Sequence, residues 1–150
     1  MKGWSFFIAG IIQGSIADLA VHAQDYRREI RNIIERYVEG ARVYCPFENH
    51  PNSLEYDNET ASRVFFDHVA MAAKTDMLIT FLPEASMGTA VEMYAANQAG
   101  RAVVTISPLE ANWAVKFLPE VLLGDLDKFE EYVRSGAFKE GLEAHRSQSD

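Results

Sequence analysis

Short, continuously apolar runs alternate along the chain with longer segments of helical spacing. Ser5 to Ala9 is apolar throughout and stops at Gly10. Leu19, Ala20, Ala23, Ile30, Ile33, Ile34 and Tyr37 then recur at helical intervals up to Gly40, which predicts a helix closed by a glycine. A second short strand is predicted over Arg42 to Cys45, ended by Pro46. A loop rich in Asn and Pro follows from Phe47 to Asp57. Thr60 to Lys74 reads as a helix, Met77 to Leu82 as a third strand, and Ser86 to Ala99 as a helix ended by Gly100. Ala102 to Ile106 is a fourth strand and Asn112 to Phe117 a short helix. Pro119 to Leu122 is a weak fifth strand, Asp125 to Val133 a helix, and Lys139 to Asp150 a polar, frayed tail.

Strands that are apolar on both faces and separated by helices call for a parallel sheet covered on both sides. Five such units in 150 residues fit a flavodoxin-like, Rossmann-like doubly wound α/β sheet of order 2-1-3-4-5. The expected division is one domain over residues 1–138 and a tail over 139–150. In such sheets the ligand sits beyond the carboxyl ends of the strands, where the order reverses between strands 1 and 3. That rule brings together the loop from Gly10 to Ser15, the loop from Pro83 to Thr89, and the start of the helix that follows.

Composition narrows the ligand. A chain of this length buries about 68–70% of its unfolded surface and needs no staple. The net charge of −8 repels a phosphate polymer, which argues against DNA or RNA and leaves room for a single nucleotide. Cys45 is the one cysteine, so no internal disulfide forms, which suits a cytoplasmic protein. No run of 18 or more apolar residues offers a membrane span, and the opening apolar run reads as a strand.

The segment from Leu82 to Glu92 carries the chemistry. Gly88 lets backbone approach a ligand closely, and the helix start with the Ser86 and Thr89 hydroxyls forms a cradle for an anion or hydroxyl. Glu92, placed in the first turn, gains from the positive end of the helix dipole. An ionised carboxylate facing a pocket can attack C1′ of a sugar as its bond to a base loosens. The same spacing, Thr89-x-x-Glu92, also matches a capping box in which Thr89 caps the helix and Glu92 reaches back.

Ser86-Met87-Gly88-Thr89-Ala90-Val91-Glu92, followed by Met93-Tyr94-Ala95-Ala96, resembles the nucleophile segment of the nucleoside 2-deoxyribosyltransferase family, which includes hydrolases of deoxynucleoside 5′-monophosphates. Phe6-Phe7-Ile8-Ala9-Gly10 is similar to that family's first strand, and the resemblance runs from about Phe6 to Phe117. It implies Glu92 as nucleophile and Asp67 as proton donor to the leaving base. It implies substrate contacts from Phe7, Gly10, Gln13, Ser86, Gly88, Thr89 and Asn112, the last in a segment that reaches a neighbouring subunit's site. Ser86 stands where the hydrolases carry a phosphate-contacting serine. Ile11 and Gln13 stand where phosphate-specific members have Ser and Arg, a poor phosphate clamp. Phe6 or Phe7 stands where the transferases often have tyrosine. Gly88-Thr89-x-x-Glu92 is also similar to the core of the cytokinin-activating phosphoribohydrolases, whose two preceding glycines are Ser86 and Met87 here.

Cleavage or exchange of an N-glycosidic bond follows from either resemblance, with a nucleoside or nucleotide as the small-molecule partner, no metal or cofactor, and a homodimer or larger assembly. A non-catalytic nucleotide-binding or signalling module on the same fold is the reading from another class. The four histidines show no metal spacing. His68 reads as a surface or interface residue, the cluster from Tyr26 to Arg31 as a solvated helix face, and Cys45 as inert packing near the pocket. Asp76 opens a strand at the far end of the sheet and reads as structural, while Asn112 reads equally well as a helix N-cap.

Overall fold

The computed structural model describes residues 3–12 and 25–149. The strands are β1 (Ser5–Gly10), β2 (Arg42–Tyr44), β3 (Met77–Phe81), β4 (Ala102–Ile106) and β5 (Val121–Leu123). They form one sheet of order β2-β1-β3-β4-β5, and every pairing is parallel. The expected order holds because β1, β3 and β4 lie in the interior, where both faces must be apolar.

Seven helices are described: α1 (Asp25–Tyr37), α2 (Pro46–Asn49), α3 (Asn58–Ala72), α4 (Met87–Gln98), α5 (Trp113–Phe117), α6 (Leu126–Arg134) and α7 (Gly136–Ser149). Alternate side chains of each strand point to opposite faces, so the core divides in two. Phe6, Ile8, Met77, Ile79 and Val104 pack beneath α1, α6 and α7 through Ile30, Phe129 and Phe138. Phe7, Ala9, Leu78 and Val103 pack beneath α3, α4 and α5 through Ala72, Met93 and Val115.

Three expectations are corrected. The segment after β2 is not a bare loop: α2 and a 3-10 turn at Ser53–Glu55 fold it into a wall. The fifth strand is shifted to Val121–Leu123, one residue past the expected end. The polar tail is helical to Ser149, because Phe138 and Leu142 are both buried in the core. Two apolar anchors suffice to dock a helix that is otherwise polar.

Asp76 holds the opposite end of the sheet from the cavity described below. Its Oδ2 accepts from the Ser5 amide at 2.8 Å and from the Ser5 hydroxyl at 2.9 Å. This fixes the start of β1 against the start of β3 and bears out the structural reading. Among the described residues, no helix is long and apolar enough to cross a membrane.

Candidate active site

A cavity of about 550 Å³ opens at the carboxyl ends of β1 and β3, within the range that holds a small organic ligand. Gly10 and Arg27 line its floor, and Ser86, Gly88, Thr89 and Glu92 line the side made by α4. The opposite side is made by the segment after β2 and by α3, with His50, Tyr56, Phe65 and His68.

The start of α4 is built differently from the capping box that Thr89-x-x-Glu92 allows. Ser86 is the N-cap, and its side chain accepts from the Thr89 amide at 3.3 Å. Its hydroxyl also donates to Thr89 Oγ1 at 3.0 Å. Thr89 is therefore inside the first turn, and Glu92 falls in the second turn rather than the first. Its carboxylate is released from capping and faces the cavity instead. Glu92 Oε2 is fully enclosed and has no hydrogen-bond partner. Burial pushes the Glu92 carboxyl up to about 7, an effect that the nearby Arg27 charge opposes. An enclosed carboxyl oxygen without a hydrogen-bond partner is a costly arrangement, and such arrangements cluster at functional sites. Gly88 has open space where a side chain would begin, so internal packing does not require a glycine there.

Arg27 is only 2% exposed, which corrects the solvated-face reading of Tyr26 to Arg31. The reason lies in the sheet. β2 ends at Tyr44 opposite Phe7, so the β1 carbonyls that face this edge beyond Phe7 lose their strand partner. Alternate carbonyls point the same way, and Arg27 takes two of them. It donates to Ile8 O at 3.2 Å and to Gly10 O at 3.1 Å. It also donates to the buried Cys45 Sγ at 3.5 Å. The sequence does carry a signal for this: Arg27 stands three and seven residues before Ile30 and Ile34, on the buried stripe of α1.

Gly10 is required by sterics. A side chain there would begin 2.2 Å from Tyr26 Oη and 3.1 Å from Phe81 O. The Tyr26 ring cannot swing aside, because it stacks on Phe81 at 4.4 Å between ring centroids with the Arg27 guanidinium 5.1 Å from its centroid. Gly10→Ala is expected to destabilise the protein by about 1–3 kcal/mol through overpacking, read as a lower midpoint in urea unfolding.

The other implied contacts divide. Asp67 lies on the exposed side of α3 and is absent from the cavity lining. Its neighbour His68 is half-buried and lines the cavity with Ala61, Val64 and Phe65, which corrects the surface reading. The helical spacing of those four residues is the sequence signal for it. Phe7 is 1% exposed and packs in the core, stacked on Tyr44 at 5.5 Å and edge-on to His68 at 5.9 Å. Asn112 caps α5, accepting from the Ala114 and Val115 amides, and it does not line the cavity. Gln13 lies outside the described residues.

On the imidazole side, Tyr44 Oη and His68 Nε2 are 3.0 Å apart, and His50 Nδ1 and Tyr56 Oη are 2.7 Å apart. The two imidazoles meet edge to face with centroids 5.3 Å apart. Burial lowers the His68 pKa, helped by His50 and Arg27 and opposed by Asp67. Burial raises that of the Tyr44 hydroxyl. Arg31 braces this wall by donating to Val43 O at 3.1 Å and pairing with Glu48 of α2. No group of three or more candidate metal ligands is found among the described residues.

Solved structures share this fold. The chain superposes on a 2-deoxyribosyltransferase from the psychrotolerant Bacillus psychrosaccharolyticus with a TM-score of 0.62 at 16% identity, covering 85% of this chain and 91% of that one. It superposes on the CMP N-glycosidase of Clostridium botulinum with a TM-score of 0.50 at 15% identity, over 86% and 97% of the two chains. A conserved protein from Enterococcus faecalis V583 matches with a TM-score of 0.51 at 17% identity, over 97% and 99%. No family model matches the sequence, and no curated protein matches it.

Proposed function

We propose that this chain is an enzyme of the nucleoside 2-deoxyribosyltransferase-like group that breaks or exchanges the N-glycosidic bond of a nucleoside or nucleoside 5′-monophosphate, with Glu92 as nucleophile. The observation that carries the reading is the Glu92 carboxyl: its residue lines the cavity, and its Oε2 is enclosed without a hydrogen-bond partner. Two proteins of the same fold, named for 2-deoxyribosyl transfer and for CMP N-glycosidase activity, add to it.

In this mechanism the ionised Glu92 attacks C1′ while the C1′–N bond breaks and its electron pair leaves with the base. The products are a glycosyl ester on Glu92 and the base anion, which takes up a proton from solvent; the water or second base that next attacks C1′ gives one proton back. Water, or a second base, then attacks C1′ and returns the carboxylate. Ser86 and Thr89 are hydroxyls within the same cavity wall and serve the sugar or its 5′ substituent. Gly88, with no side chain, lets the ligand lie against α4. Gln13 remains an additional proposed contact. Asp67, the proton donor that the resemblance implies, is exposed on α3 next to the cavity residue His68 and remains a proposed contributor. Assembly into a dimer or larger is proposed through the helices of this side, where Trp113 is 78% and Phe117 63% exposed.

Incubating the protein with ribo- and deoxynucleosides and their 5′-monophosphates, with and without an acceptor base, tests the reading. Free or exchanged base, measured by chromatography and lost in Glu92→Gln, is the expected result. A panel that yields no base, while a nucleotide still raises Tm, would identify a binding module instead.

A further inference from the structure

We propose that His50 and His68 form a paired hydrogen-bond donor that grips the carbonyl edge of an oxo-substituted nucleobase and stabilises it as it leaves. The inference deepens the glycosidic reading above and rests on it.

Each imidazole has one nitrogen engaged by a tyrosine and one left over. Tyr44 engages Nε2 of His68 at 3.0 Å, and Tyr56 engages Nδ1 of His50 at 2.7 Å. A phenol is the stronger proton donor of each pair, and an imidazole sp² nitrogen the stronger acceptor. The tyrosines therefore donate, and the tautomers are assigned from that network. The ring proton then sits on His68 Nδ1 and on His50 Nε2. A cationic ring would carry a proton at the same outward position, so the outward nitrogen donates in either protonation state.

Both rings line the cavity that holds Glu92, and their centroids are 5.3 Å apart. Two imidazoles this close in one cavity can serve a single ligand. The tyrosines fix the ring orientations, and Phe7 backs both Tyr44 and His68. The arrangement is thus preorganised, as donors aimed at developing charge must be. When the C1′–N bond breaks, the electron pair moves into the base and accumulates on its carbonyl oxygens and ring nitrogens. Two N–H groups meeting that edge lower the barrier without a proton having to leave either histidine. This supplies assistance on the base side from groups that line the cavity. It also sets a preference, because a base with an exocyclic amine on that edge would present a donor to a donor.

The test compares inosine with adenosine and uridine with cytidine, as ribo- and deoxynucleosides and as 5′-monophosphates. Binding is measured in Glu92→Gln, so that no substrate is consumed, and kcat/KM in the unaltered protein. The expected result is a preference of about tenfold for the oxo base of at least one pair, the value of one hydrogen bond. His68→Phe and His50→Phe should each remove it, while binding of ribose 5-phosphate stays unchanged. Tyr44→Phe keeps the ring stacked on Phe7 and should fold; freed from its tyrosine, His68 should lose most of the preference through kcat rather than KM. Equal or tighter use of the amino bases, or a preference that survives both histidine changes, would overturn the inference. Base release that needs Glu92 but shows no oxo preference would leave the glycosidic reading standing without it. An oxo preference in binding that needs both histidines, with no base released, would support the donor pair and sink the glycosidic reading.

Discussion

Glu92→Gln is expected to abolish base release by at least about 10³-fold, as removal of a nucleophile does, and to stabilise the folded protein at the same time. The second effect follows from linkage. Burial raises the Glu92 pKa from its ordinary value of 4.5 to about 7 in the fold. Between those values the unfolded chain has already given up a proton that the native state keeps. Stability therefore falls as pH rises from 4.5 to about 7 and is level above. The accumulated loss is about 3 kcal/mol. Glutamine does not ionise and escapes it. Urea unfolding should place the variant about 2–3 kcal/mol above the unaltered protein at about pH 8, with the two curves converging near about pH 4. In activity the sign reverses, because the nucleophile must be ionised: kcat/KM of the unaltered protein should rise through about pH 7. A variant that is inactive and no more stable at about pH 8 would show that the carboxylate is satisfied in solution.

Arg27→Met should have the largest destabilising effect of any change in the site, about 3–5 kcal/mol by analogy with breaking a buried charged pair. Two β1 carbonyls lose their donor, and Glu92 loses the cation that favours its ionised form. Removing that cation raises the Glu92 pKa further, so the acid limb of the kcat/KM profile should move to higher pH. The profile separates this role from structure alone: a purely structural arginine would lower stability and leave the limb in place. Urea unfolding and a pH series on whatever folded protein remains would read both.

The parts of this protein legible in its sequence are those governed by burial. β1, β3 and β4 are apolar on both faces, and no helix of ordinary amphipathicity reads that way, so the sheet and its order follow. The site is legible only where chemistry and chain position coincide, at the turn from β3 into α4. Arg27 reads as solvent-facing because its partners are backbone carbonyls, and a sequence does not show which carbonyls a short strand leaves open. His68 reads as a surface or interface residue because it directly follows the charged Asp67 and the adjacent Phe65 and Phe66 leave no clean apolar stripe on α3. The turn position of Glu92 depends on which hydroxyl caps α4, and Ser86 and Thr89 are equally good candidates on paper. Helix α7 escapes the sequence because Phe138 and Leu142 are its only anchors in the core among the described residues, too few for a periodic signal.

Both outer strands of the sheet, β2 and β5, are three residues long. An edge of that length gives a second chain almost no ladder to extend, and short edges are one way proteins forestall uncontrolled strand addition. Growth of the sheet from copy to copy, a route to fibres, is thereby disfavoured. The proposed association through side chains of the helical layers fits such edges, because side-chain geometry can limit it to a fixed number of subunits.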